Sequence, residues 1–282
     1  MLKGEIVRGE CCVLEFGELY FAVDARRGGR VVSVRCGANE LLTDSNVNPL
    51  NFGSTFWTSP QADWGWPPVE AIDAAPYELS ELTPLSFRIR SGIVHGVGPR
   101  VDGVSITKTF SANLTAQAVD VAYEIRNHDA APKELAAWEI TRVAANGLTF
   151  FATSAEPTGE RPPPFTKALG AVWFQHHADV APDSKLFADG QGWIAHVTPE
   201  RLLLVKAFPD VAAGSAAPGE AEIEVFSSPK YVEVENQAAY GVIPPGGVSH
   251  WNVRWYLRQL PQNLALLPGD AELAAWVTNT LR

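Results

Sequence analysis

The segment YVEVENQ, Tyr231 to Gln237, sets a carboxylate, Glu235, beside two amides, Asn236 and Gln237. Side chains of an extended strand alternate between faces, so Glu233, Glu235 and Gln237 share a face with Tyr231. Val232, Val234 and Asn236 take the other face, and the valines mark it as core. The carboxylate face is either a solvated surface or the floor of a cleft whose carboxylates and amides hold hydroxyl groups. A carboxylate with a pKa raised by burial or a neighbour would also serve there as a general base.

Two further segments offer related chemistry. In WEITRV, Glu139 and Thr141 fall on one strand face, while Trp138, Ile140 and Arg142 fall on the other. A structural ion pair is the plain alternative for Glu139 and Arg142. In STFWTSPQADWGWPP, Gln61 and Asp63 lie among Trp57, Trp64 and Trp66. Indole faces pack on the apolar C–H face of a pyranose while an amide and a carboxylate bind its hydroxyls. The alternative is a rigid Pro/Trp loop with Asp63 capping a turn and indoles filling a core. Lys206 in LLLVKAF, and Lys185 with Asp189, are additional candidates, although a lysine among apolar residues also snorkels.

Other chemistries lack a signal. The six histidines, His95, His128, His176, His177, His196 and His250, form no HxH or HxxxH pair, and adjacent strand histidines point apart. No GxSxG, P-loop or GxGxxG is present. Neither a metal nor a cofactor is expected.

The elements that must position these residues read as strands. Period-two alternation runs through most of the chain; GELYFAVD and GRVVSVRC, for example, are joined by ARRGG, where Gly28-Gly29 supplies a turn. Helical spacing is confined to GDAELAAWVTNTLR, with Leu273, Trp276, Val277 and Leu281 on one stripe and Asp270 as N-cap. Three segments break the rhythm and read as loops: residues 46–79, the Pro-rich lid-like stretch 156–165, and residues 209–220. With no repeat of 20–50 residues, the pattern predicts an all-β antiparallel sandwich with a short C-terminal helix, one domain over residues 1–282.

Composition narrows the partners. The 282 residues carry a formal net charge of −10 without a basic block, which argues against nucleic acid and anionic membranes. No apolar run reaches transmembrane length. Cys11, Cys12 and Cys36 are odd in number, and the adjacent pair is badly placed to bridge itself. With no signal-peptide pattern at the start, the expectation is a cytoplasmic protein with reduced thiols, export remaining open if a leader precedes residue 1. Composition leaves the oligomeric state open.

Ordered blocks add a resemblance. VDARRGGRVVSVRCGANELL, NFGSTFWTSPQADWGWPP, YEIRNHDAAPKELAAWEITRV, KLFADGQGW, LLLVKAF, EIEVFSSPKYVEVENQ and PPGGVSHWNVRWYL cover most of residues 15–258. In this order they resemble the galactose-mutarotase-like superfamily and, within it, the DUF4380 family. The most specific match is the ending, where Glu235 and Gln237 precede Pro245-Gly246 and the final core strand HWNVRWYL. The resemblance implies an antiparallel β supersandwich with a sugar-sized cleft on a concave sheet. It makes Glu235 the general base on an anomeric hydroxyl. The family's acid is a histidine in an NHxYFNL-like strand, and the matching stretch here, LAAWEITRV, has none. Glu139, or a histidine from elsewhere, is then the expected acid, with Arg142 as an alternative oxyanion stabiliser.

The function expected is that of a mutarotase or epimerase-like enzyme. Trp57, Gln61, Asp63, Trp64, Trp66, Arg142, Lys206 and Gln237 would hold a small carbohydrate or oligosaccharide. Two alternatives remain: a non-catalytic carbohydrate-binding protein using the same cleft, and a lyase or hydrolase acting on uronic-acid glycans.

Overall fold

The computed structural model describes residues 3–7, 11–160, 164–177 and 183–282. Among these, two antiparallel sheets of twelve and ten strands stack face to face. The centre of the larger sheet runs Ser54–Ser59, Lys133–Ala144, Tyr231–Gln237, Ile223–Ser227 and Ser184–Ala188. The smaller sheet has Leu202–Ala207, Val248–Gln259 and Ala118–Asn127 at its middle. The antiparallel sandwich expected from the alternating pattern is the observed fold.

Alternation decides what each face does. Val232, Val234, Val225 and Ile223 point towards the smaller sheet and join one inter-sheet core. There Phe56 stacks on Tyr123 at 4.6 Å between ring centres, and Phe21 meets Trp255 edge-on at 5.6 Å. Burying each such side chain stabilises the fold by about 1.5–3 kcal/mol relative to leaving it exposed.

The helix Ala271–Leu281 covers the outer face of the smaller sheet, with Leu273 and Val277 buried against a second apolar cluster. Asp270 caps it by accepting from the Leu273 N–H at 2.8 Å. The outer face of the larger sheet is left for polar chemistry. No helix among the described residues is long and apolar enough to cross a membrane.

One sequence expectation needs correction. Residues 46–79 are not a continuous loop: Ser54–Ser59 is an inner strand of the larger sheet, followed by a 3-10 turn, Gln61–Asp63, and a short helix, Glu70–Asp73. All six residues of that strand are buried, so its two faces carry no apolar–polar contrast. The loop at 209–220 does lack strands. The Pro-rich stretch contributes a short edge strand, Thr158–Glu160, while residues 161–163 lie outside the described residues.

Candidate functional site

Register assembles the site. Residues directly opposite on antiparallel strands project to the same face, which lines up three rows across the larger sheet. One row is Trp57, Trp138 and Gln237. The next is Thr55, Ile140, Glu235, Glu224 and Phe187, and the third is Arg142, Glu233, Phe226 and Lys185. These rows face away from the smaller sheet, and over them lies a cavity of about 430 Å³. Its lining includes Trp57, Trp66, Trp138, Lys185, Glu220, Glu224, Glu233 and Glu235. The volume lies within the range of small-molecule sites.

An ionic cluster occupies the floor. Lys185 Nζ donates to Glu235 Oε1 at 2.5 Å and lies 2.8 Å from Glu224 Oε2. The second Glu235 oxygen accepts from the Trp138 indole at 3.0 Å. Glu224 Oε1 accepts from Gln237 Nε2 at 2.7 Å and from the Ala221 N–H at 3.0 Å. In the next row, Arg142 Nε donates to Glu233 Oε1 at 2.8 Å and Arg142 Nη1 to Thr55 Oγ1 at 3.1 Å.

Burial drives the electrostatics. It lifts the Glu235 carboxyl to about 8 and the Glu224 carboxyl to about 7, against the opposing pull of Lys185. Burial also works against the Lys185 ammonium, but Glu235 and Glu224 outweigh it and hold the charge firmly in place. The cluster therefore keeps its cation and carries a surplus of carboxylate that protonates near neutral pH.

The aromatic wall is built from the corrected strand. Trp57 meets Trp138 edge-on at 5.2 Å and Trp64 at 5.5 Å, and Trp66 stands 6.3 Å away. Asp73 Oδ1 accepts from the Trp57 indole at 2.7 Å, which ties the wall to the short helix.

The residues singled out from sequence separate into two groups. Glu235, Trp57, Trp66 and Gln61 line the cavity. Gln237 and Arg142 brace Glu224 and Glu233 from the same face, and Trp64 backs Trp57 with its indole donating to the Thr58 carbonyl at 2.8 Å. Asp63 is turned to Arg100, at 3.1 Å, and does not line the cavity.

Glu139 and Lys206 lie on the opposite face, between the sheets, as an ion pair at 2.7 Å. Tyr123 hydroxyl donates to Glu139 Oε2, the Trp255 indole donates to the same oxygen at 3.4 Å, and Lys206 donates to Asn236 Oδ1 at 3.0 Å. A single step along the strand, from Trp138 to Glu139, turns the side chain out of the cleft. That placement removes Glu139 from the role of acid and Lys206 from substrate contact. No histidine lines the cavity among the described residues; His176 and His196 are buried where both ring systems bond Thr149 Oγ1.

Glu224, Glu220, Phe187 and Phe226 were not singled out. A signal existed for Glu224: in EAEIEVFSS it alternates with Ile223 and Val225, as Glu235 does with Val234. Glu220 sits in a loop and reaches the site by accepting from the Gln61 N–H at 2.9 Å, a contact no periodicity announces.

No family model matches the chain, and no curated protein is similar to it in sequence. Solved structures share its fold. The Slr1438 protein of Synechocystis sp. PCC 6803 is similar with a TM-score of 0.64 at 11% identity, over 90% of this chain and 97% of that one. A galactose mutarotase-like protein from Lactobacillus casei gives 0.64 at 10%, over 88% and 100%. A galactose mutarotase related enzyme from Lactobacillus acidophilus gives 0.60 at 8%, over 89% and 98%. The architecture is that of the galactose mutarotase-like sandwich.

Proposed function

We propose that the chain is a carbohydrate-active isomerase of the mutarotase or aldose 1-epimerase type, binding a sugar in the cavity of the larger sheet with Glu235 as general base. The observation that carries the reading is Glu235 itself: a buried carboxyl raised to about 8 by burial, at the floor of a cavity walled by Trp57, Trp66 and Trp138. A base poised near neutrality suits removal of an anomeric hydroxyl proton, and the indoles offer faces to a pyranose. We propose membership of DUF4380 on the ordered sequence blocks alone, and a cytoplasmic setting on the three cysteines, which form no disulfide.

The charge inventory favours a neutral small sugar over uronic-acid glycans. Lys185 and Arg142 are both engaged by glutamates, and Glu220 adds a further carboxylate, so an anionic chain meets repulsion. The lack of a cavity histidine among the described residues motivates the second reading, a non-catalytic sugar-binding protein.

Proton NMR on freshly dissolved aldoses separates the two. Under the isomerase reading, wild type accelerates anomer exchange for at least one sugar and Glu235→Gln loses about 10²–10⁴-fold of that rate. Ligand line broadening without acceleration would establish the binding protein instead.

A further inference from the structure

We propose that Glu224 is the general acid that works with Glu235, the two carboxyl groups holding one proton between them across Lys185 and exchanging it with the ring and anomeric oxygens of the sugar. The inference rests on the isomerase reading above and supplies the acid that reading lacks.

The chemistry demands two groups close together. Ring opening needs a base at the anomeric hydroxyl and an acid at the ring oxygen, and both oxygens are bonded to the same carbon. Glu224 and Glu235 are register partners on neighbouring strands, a geometry that sets Cβ atoms about 4.5–5.5 Å apart. Both reach a single nitrogen, Lys185 Nζ, and both line the cavity. Glu139, behind the sheet, meets neither condition.

Charge balance supplies the proton. Two carboxylates and one ammonium leave a net negative charge in a buried site; one added proton makes the group neutral, which burial favours. Burial raises both carboxyls, and because the two interact the raised titration belongs to the pair and not to either residue. The single proton is therefore free to sit on Glu224 when the anomeric hydroxyl faces Glu235. Of the other cavity carboxylates, Glu233 is held by the Arg142 guanidinium at 2.8 Å, and Glu220, from the loop beside Glu224, adds negative charge that favours the proton further. Within Glu224, Oε1 is occupied by the Gln237 amide and the Ala221 N–H. Oε2 has the ion-pair contact with Lys185 at 2.8 Å but no hydrogen bond of its own, and is the oxygen left to carry the proton.

The step balances without a co-reactant. The Glu235 carboxylate takes the proton of the anomeric hydroxyl, the C1–O5 bond breaks as the C1 carbonyl forms, and O5 takes the proton of the Glu224 carboxyl. Rotation about C1–C2 presents the other carbonyl face. On closure Glu224 recovers its proton from O5, and Glu235 returns its own to the carbonyl oxygen.

The test measures anomer exchange of α-D-glucose and α-D-galactose by proton NMR from pH 5 to pH 9, for wild type, Glu224→Gln and Glu224→Asp. Glutamine keeps an oxygen for the Gln237 and Ala221 donors, and Trp fluorescence quenching by sugar reports an intact cavity. The expected result is a bell-shaped wild-type profile, since the pair must hold one proton. Glu224→Gln should fall by about 10²–10⁴-fold with binding retained, and Glu224→Asp should recover part of the rate. A wild-type rate that stays level above pH 8, or a Glu224→Gln rate near wild type while Glu235→Gln is inactive, overturns the acid assignment and leaves the isomerase reading standing. A wild type that accelerates neither these sugars nor any other aldose overturns both.

Discussion

Two buried lysine–carboxylate clusters lie back to back through the same two strands, and they are built for opposite ends. Behind the sheet, Glu139 and Lys206 form a one-to-one pair whose remaining bonds go to Tyr123, Trp255, Asn236 and the Val234 carbonyl. In front, Lys185 serves two glutamates, with a third and a fourth nearby, beneath an open cavity. Glu139 and Trp138, or Asn236 and Glu235, are neighbours in sequence but belong to different clusters. Burial and pairing are thus common to both. The surplus of carboxylate and access to the cavity distinguish the front cluster, and those are the properties that let a proton move.

The largest expected effect comes from breaking the closed pair. Lys206→Met leaves the Glu139 carboxylate uncompensated between the sheets, and one-sided removal of a buried ion pair costs about 3–5 kcal/mol. Urea unfolding measures it directly. Replacing both partners with apolar residues should recover most of the loss. A Lys206→Met protein as stable as wild type would show that Glu139 carries no charge needing compensation, and the contrast between the two clusters would collapse.

This contrast also explains what could be read in advance. YVEVENQ announces its faces because valines fill one side, and the alternation correctly groups Glu233, Glu235 and Gln237. The same logic separates Glu139 from Arg142 in WEITRV but cannot say which belongs to the cleft, since that strand is buried on both faces over Leu135–Val143. The choice is made by distant partners. Lys206 lies on the opposing sheet, whereas Lys185 arrives from three strands away on the same sheet. Strand Ser54–Ser59 was hidden for the same reason: with both faces covered, its serines and threonines gave no period. The sandwich and the C-terminal helix were legible because each has one apolar face.

Titration offers a finer separation of the clusters. Glu235 and Glu224 have folded-state pKa values of about 8 and 7, above the ordinary 4.5. A carboxyl raised in this way contributes stability in acid and loses it as pH rises through the folded value. Wild type should therefore lose stability relative to Glu235→Gln between pH 5.5 and pH 8.5. The comparison must be a difference, because buried Lys108, lowered to about 7 by burial, and buried His176 and His196, also lowered by burial, act in the opposite direction. Urea midpoints for both proteins at the two pH values test this; a difference that does not change with pH would mean Glu235 is ionised throughout.

The smallest effect should come from the rim of the cavity. Trp66 is 57% exposed, whereas Trp57 is 5% exposed and anchored through its indole to Asp73. Removing Trp57 empties buried volume and costs about 3–5 kcal/mol of stability, which would obscure its part in binding. Trp66→Ala should change stability by no more than about 0.5 kcal/mol, leaving its contact with the ligand as the only loss of consequence. If the indole contributes about 1 kcal/mol of packing to a sugar ring, affinity falls by about fivefold. A sugar titration followed by NMR line broadening resolves a change of that size. Unchanged affinity would confine the aromatic wall to Trp57 and Trp138, whose row adjoins the Glu235 row on the sheet.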